Sequence, residues 1–345
     1  MSAPGWERLS AQDRSFLVFE EPSLPMHLGA FTIFQGGSLL GAGARDGLVR
    51  LRAHIRSRLH LAPRYRQRLA WVPMLRRPVW VDDERFDLRR HVKRANVAPA
   101  SDPKRLRQVV AGILEKPLDR AHPLWELWLV EGIGDGSFGL VVKTHHAVAD
   151  GISAFDLFAA LLSPAPVTEI AAPQRWRPRP PPNALELLAG ELRHETVLRG
   201  SLAGRVARAL TEPLSLAGGV VPGLQAMAGL ARIALRKPAQ TPHNRPVGPQ
   251  RVFEWLTLDL REVKALKQRL GGTVNDVVLA TVSGAVRSYL ARRQVDPRGL
   301  EYRVVIPVSL RADEEQGLTN NRVSAWLARL PLDESDPVQR AGHAM

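Results

Sequence analysis

The sequence predicts an α/β (α+β) chain of two lobes joined by a helical linker, and three observations predict it. Strand-like and helix-like segments alternate in the first 163 residues and alternate again from residue 251. Between them lies a stretch rich in Pro, Arg, Ala and Leu. The 345 residues, 45% hydrophobic and 24% charged, are enough for two cores and globular in composition. The expected division is 1–163, 164–250 and 251–345.

Ser10-x-x-Asp13 has the spacing of a capping box and opens a short helix to Val18, with Leu9 as its staple. A strand follows over Leu28 to Gln35. Arg45 to Leu61 carries Leu48, Leu51, Ile55 and Leu59 at helical spacing on a basic helix. Asp102-Pro103 reads as N-cap and first residue of a helix reaching about Lys116. Trp125 to Glu131 and Ser137 to Thr144 read as neighbouring strands joined by the Gly-rich turn 132–136. Ile152 to Leu162 then reads as a buried helix.

Seven prolines between Pro164 and Pro182 mark a linker, with Arg175, Arg177 and Arg179 among them. Helices are expected over Leu185 to Leu210 and Leu214 to Leu235, either as a bridge between lobes or as a basic amphipathic surface against a membrane or lipid body. Lys237 to Gln250 is a second Pro-containing loop. In the last part, Arg251 to Leu258 is strand-like, Glu262 to Leu270 helical with Gly271-Gly272 as its stop, Val274 to Arg293 a long helix, and Tyr302 to Pro307 a strand.

Composition excludes some chemistry. The chain has no cysteine, so disulfides, thiolate metal sites and a cysteine nucleophile drop out. The first eight residues lack the apolar core of a secretory signal, and no run of 18 apolar residues predicts a membrane span. A cytoplasmic location is expected, with possible contact at the inner membrane face or lipid inclusions. The net charge of +14 rests on 41 arginines against 7 lysines. High-GC coding explains such a bias, and so does attraction to the phosphates of a cofactor or lipid headgroups. Nucleic acid is not expected, because no recognition pattern accompanies the charge. Gly36 to Gly43 matches neither a P-loop nor a dinucleotide fingerprint.

The chemistry concentrates at Lys143-Thr144-His145-His146-Ala147-Val148-Ala149-Asp150-Gly151, after the apolar run from Phe138 to Val142. With 10 His and 16 Asp in the chain, a bare His-x-x-x-Asp arises by chance roughly half a time. The extra His and the Gly lower that to about one in a thousand. A neutral imidazole at a strand end is suited to taking a proton from a hydroxyl. Adjacent histidines on an extended strand point to opposite faces, which makes them poor joint metal ligands; no metal is expected. Asp150 is better placed to hold the loop by an ion pair, its partner left open. Gly151 gives the backbone freedom closed to other residues.

His145-His146-x-x-x-Asp150-Gly151 resembles the signature of the chloramphenicol-acetyltransferase-like acyltransferase superfamily, which includes condensation domains of peptide synthetases. Further blocks resemble its wax ester synthase/diacylglycerol acyltransferase (WS/DGAT) branch: Leu9-Ser10-x-x-Asp13-x-x-Phe16-Leu17-x-x-Glu20, Pro25-Met26-His27, Pro123-Leu124-Trp125, Val274-Asn275-Asp276-Val277-Val278-Leu279-Ala280, and Val305-Ile306-Pro307-Val308-Ser309-x-Arg311 leading to Asn320-Asn321. They run in family order from residue 9 to about 325.

The resemblance implies two chloramphenicol-acetyltransferase-like lobes with the active site between them. It also implies an acyl-CoA-dependent O-acyltransferase that esterifies diacylglycerol or a long-chain alcohol, with acyl-CoA as co-substrate and no bound cofactor. His146 is then the general base, and His145, Asp150 and Gly151 complete its motif. Asn275, by default a helix-capping residue with Asp276, becomes a hydrogen-bond donor to the reacting thioester oxygen. Pro123, Leu124 and Trp125, most simply a buried strand, lie near the acyl pocket, and Asp276 counts with them among the substrate-binding residues. Arg311 is open between pairing with Asp150, meeting cofactor phosphate and lying at the surface, and His27 is structural. Such proteins are longer, so the second lobe is expected to be incomplete. Two other readings stand beside this one: a condensation-type enzyme fed by a carrier protein, and a non-catalytic lipid-surface protein.

Overall fold

The computed structural model describes residues 5–35, 44–98, 101–134, 136–148, 162, 169–211, 239–309 and 323–344. Contacts divide the chain into two compact units: residues 1–193 with 247–254 and 309–323, and residues 194–246 with 255–308 and 324–345.

In the first unit the described elements are, in order, β1 (Trp6–Arg8), α1 (Ala11–Phe19), β2 (His27–Phe34), α2 (Ala44–Arg58), β3 (Gln67–Trp71), β4 (Pro78–Asp82), α3 (Leu88–His91), β5 (Val92–Asn96), α4 (Pro103–Glu115), β6 (Trp125–Gly134) and β7 (Ser137–His145). Helix α5 (Ala184–Thr211) begins in this unit. Local chemistry accounts for the helix starts. Ser10 and Asp13 close the capping box of α1 from both sides. Asp102 accepts from the Lys104 N–H at 2.9 Å ahead of Pro103.

Four strands form one sheet in the order β2-β7-β6-β5, antiparallel except for the parallel β5–β6 pair. The register sets His27 opposite His145 and Trp125 opposite Thr144. Strand β6 buries alternate residues Trp125, Leu127 and Leu129, and these join Ile55, Leu59, Tyr65 and Trp80 in the main core. At the end of β6 the register shifts between Val130 and Gly134. Gly132 there has φ +82°, and a Cβ on it would sit 2.6 Å from the Val97 carbonyl oxygen. The antiparallel order β1-β4-β3 makes a second, smaller sheet.

The second unit holds α6 (Leu260–Leu270), α7 (Val274–Arg292), the paired strands β8 (Arg303–Ser309) and β9 (Val323–Arg329), and α8 (Pro337–Ala344). Its small core gathers Leu290, Leu330 and Leu332, with Val286, Tyr289 and Tyr302 packed around them. Gly271, at φ +77°, ends α6 as expected, and the Gly272 N–H reaches back to the Lys267 carbonyl at 3.1 Å. Thr273 and Asp276 form the capping box of α7.

Two readings of the sequence need correcting or setting aside. Residues 251–258 are neither helix nor strand and pair with no described strand, so the strand expected there does not form. Arg251 instead donates to the Ser23 carbonyl, Phe253 meets Phe31 edge-on, and Val252 is left 89% exposed. The helices expected at 152–162 and 214–235 fall almost wholly outside the described residues. No described helix is long and apolar enough to cross a membrane.

Candidate active site

The histidine pair ends β7, the strand between β2 and β6. His145 is its last residue, and His146 opens the turn that follows. His145 is completely buried, whereas His146 is half-buried. Lys143, on the face of His145, is buried as well, and its Nζ donates to the Ile113 and Lys116 carbonyls beside Glu126. Burial pushes the Lys143 ammonium below its ordinary pKa, with Glu126 opposing the shift.

The backbone at His146 is held at each side. Its own N–H donates to the Met26 carbonyl at 2.9 Å. The Ala147 N–H donates to His145 Nδ1 at 2.9 Å, and the Val148 N–H to the His145 carbonyl at 2.9 Å. The His145 N–H donates to the Leu124 carbonyl at 3.0 Å, which ties the pair to β6. Above the backbone, the Phe16 ring stacks on His146 with centroids 4.6 Å apart and planes at 18°.

A carboxylate lies behind His145. Glu20 Oε2 is 3.5 Å from His145 Nε2, an electrostatic contact at the outer limit of a hydrogen bond. Arg120 donates to the same oxygen through Nε at 2.9 Å and Nη2 at 2.6 Å, while the Met26 N–H donates to Oε1 at 3.0 Å. Burial pushes the Glu20 carboxyl upward, but His145, Arg120 and the Met26 amide together outweigh it and bring the pKa to about 2. Glu20 is therefore ionised at neutral pH. Across the β2–β7 pair, His27 Nε2 donates to the Leu114 carbonyl at 2.7 Å. Burial lowers the His27 pKa to about 4, with the Leu114 bond opposing it, so this ring stays neutral.

The other expected site residues divide by location. Pro123, Leu124 and Trp125 are buried in the first unit beside the histidines. Trp125 stacks between Tyr65 and His91, each ring 4.7 Å away, and its Nε1–H donates to the Tyr65 carbonyl. Pro123 and Trp125 also line a cavity of about 240 Å³ with Arg90, His91, Lys93 and His122. Asn275 and Asp276 belong to the second unit. Asn275 is exposed on the first turn of α7, and Asp276 caps that turn, its pKa lowered by the Thr273 N–H and hydroxyl. Asp150, Gly151 and Arg311 lie outside the described residues, as do Asn320 and Asn321. Among the described residues no group of three or more His, Asp or Glu is arranged to hold a metal ion.

Four residues around the pair were not singled out by chemistry in the sequence: Phe16, Glu20, Met26 and Arg120. Phe16 and Glu20 are four apart at the end of α1, the helical spacing that brings two side chains to one face. That spacing is a signal the sequence carries. Arg120 leaves no such trace, being 100 residues from its partner.

Residues 9–278 match the wax ester synthase/diacylglycerol acyltransferase catalytic domain, and the chain belongs to that family. Two Mycobacterium tuberculosis relatives are named as diacylglycerol O-acyltransferases. Rv1760 is 33% identical over 343 residues, 98% of this chain and 66% of the relative. The second, tgs1, is 30% identical over 335 residues, 96% of this chain and 68% of the relative. The chain thus spans about two thirds of the length of these relatives. Among solved structures, the wax ester synthase/diacylglycerol acyltransferase from Marinobacter aquaeolei VT8 is similar at TM-score 0.64 and 25% identity, covering 98% of this chain and 70% of that one. The starter condensation domain of rhizomide synthetase RzmA shares the fold at TM-score 0.56 and 14% identity, covering 99% and 70%.

Proposed function

We propose that this chain carries the catalytic histidine of an O-acyltransferase that moves a fatty acyl group from coenzyme A to diacylglycerol, a long-chain alcohol, or both. The observation that carries the reading is the half-buried His146 ring on a backbone pinned to Met26 and His145, in a chain of this family. His146 takes the proton of the acceptor hydroxyl as its oxygen attacks the thioester carbonyl. The tetrahedral intermediate then collapses to ester, and the proton passes from the imidazolium to the departing thiolate. Asn275 donates to the developing oxyanion, and Asp150 with Gly151 shapes the loop after His146. Pro123, Leu124 and Trp125 border the acyl group, Asp276 keeps Asn275 in place, and Arg311 meets either Asp150 or a cofactor phosphate. No acyl-enzyme is required. The protein acts at the surface of a membrane or lipid inclusion, where its acceptors reside, and the positive charge favours anionic headgroups.

The test is ester formation by the purified chain given labelled palmitoyl-CoA with diacylglycerol and with hexadecanol in parallel, and an acyl-carrier-protein donor as a third arm. Label in triacylglycerol or wax ester from the CoA donor supports the proposal. Transfer from the carrier protein alone would replace it with a condensation-type reaction, and no transfer from any donor would leave a lipid-binding protein.

A further inference from the structure

We infer that Glu20, with Arg120 behind it, is the positioning residue for the histidine pair, holding His146 in register from both sides of its backbone. The inference deepens the acyltransferase reading and rests on it for its kinetic arm.

Glu20 reaches His146 by two routes. Through Oε1 it accepts the Met26 N–H, and the carbonyl of the same Met26 accepts the His146 N–H. Through Oε2 it faces His145 Nε2, and His145 Nδ1 accepts the N–H of Ala147, the residue after His146. One carboxylate therefore braces the peptide groups on either flank of the proposed base. The tautomer follows from the donors. A ring nitrogen that accepts a backbone N–H bears no proton, so the ring proton of His145 is on Nε2, the side of Glu20.

Arg120 gives the carboxylate its charge balance and its orientation. It makes two bonds to Oε2 and uses Nη2 also on the Leu17 carbonyl, near the end of α1. Because α1 supplies Phe16, stacked on His146, and its C-cap residue is Glu20, behind His145, a shift of that helix end moves both rings together. His145 lies too deep to meet a substrate directly. Its task is to transmit the Glu20 position to the neighbouring residue. The fixed pose matters because small misplacements of a reacting group cost rate far more than affinity.

The experiment is Glu20→Gln in the full chain, a change that keeps side-chain shape and removes the charge. Two readouts apply. Histidine-selective ¹⁵N–¹H spectra, with the His145 resonance identified by its loss in His145→Asn, report the tautomer and solvent exchange of the ring proton. Steady-state kinetics report kcat and KM separately. We expect the Nε2–H form in the wild type, a shifted and faster-exchanging proton in Glu20→Gln, and kcat lower by about tenfold or more with KM within about twofold. An Nδ1–H tautomer in the wild type overturns the inference. So does a folded Glu20→Gln with an unchanged His145 signal, or with kcat within twofold of wild type, and so does a loss of activity that merely follows a lowered melting temperature. Should Glu20→Gln fail to fold, Arg120→Lys, which keeps the charge and loses the two-nitrogen contact, is read in the same way. A wild-type chain that transfers no acyl group would defeat the proposed function, while the spectra would still decide the role of Glu20.

Discussion

His145 and His146 are neighbours in sequence and differ in burial: His145, the last residue of β7, is fully buried, and His146, the first residue of the turn after it, is half-buried. That the pair closes a buried strand was legible in the sequence, because the apolar run 138–142 is local. The bracing of the pair was not. Glu20 and Arg120 meet only after the chain has folded, and nothing in the intervening hundred residues signals it. Trp125 shows the complementary case. Its buried position was readable, while the stacking between Tyr65 and His91 depends on three separate segments. Trp125→Ala should destabilise the first unit by about 3–5 kcal/mol, the usual cost of deleting a fully packed aromatic, as read by chemical denaturation. A loss below about 1 kcal/mol would mean that its core role is overstated.

At the scale of elements, sequence reading succeeded where the signal is local. The capping box of α1, the Asp102-Pro103 start of α4 and the Gly271 stop of α6 depend on residues within four positions of each other. Short strands such as β1, β3, β4 and β5 were missed, because three to five residues show no clear period. The opposite error arose at 251–258, which reads as strand-like but forms no ladder with a described strand. The β6–β7 turn offers a test. Gly132→Ala would place a side chain at positive φ and against the Val97 carbonyl oxygen. It should cost about 2 kcal/mol or more, visible as a lower melting temperature, whereas Gly136→Ala, also at positive φ but with open space, should cost less. Equal effects would show that conformation, not crowding, dominates this turn.

Across the whole molecule, part of the arginine content has a structural use. Buried carboxylates of the first unit each collect arginines: Asp82 takes Arg179, Glu191 takes Arg8 and Arg77, and Glu20 takes Arg120. Burial raises the pKa of all three carboxyls, and their partners more than reverse it (Arg179 and Gln67 at Asp82, Arg8 and Arg77 at Glu191, His145, Arg120 and the Met26 amide at Glu20), so each stays ionised below the ordinary carboxylate range. The sign of the pH dependence follows. A carboxyl held low in the folded state, such as Glu20 at about 2, stabilises fully above the unfolded value near 4.5 and loses that contribution as pH falls toward 2. His27, lowered to about 4 by burial, acts in the same direction over a higher window. The unfolded chain takes up its proton near pH 6.5 before the folded chain does, so stability declines as pH falls from there toward 4. The melting temperature should therefore drop from neutral pH to pH 4 and drop further below it. In His27→Gln the upper part of that slope should flatten, and an unchanged slope between pH 6.5 and 4 would remove His27 from the account.

Family membership rests on a match over residues 9–278, and the chemistry proposed for it rests on one imidazole. The most direct measurement compares wild type with His146→Ala under labelled palmitoyl-CoA and excess acceptor alcohol, with melting temperatures taken on the same samples. The account predicts that ester formation falls by three orders of magnitude or more, on the order of what losing a general base removes, at an unchanged melting temperature. Ester formation in His146→Ala at the wild-type rate would contradict it.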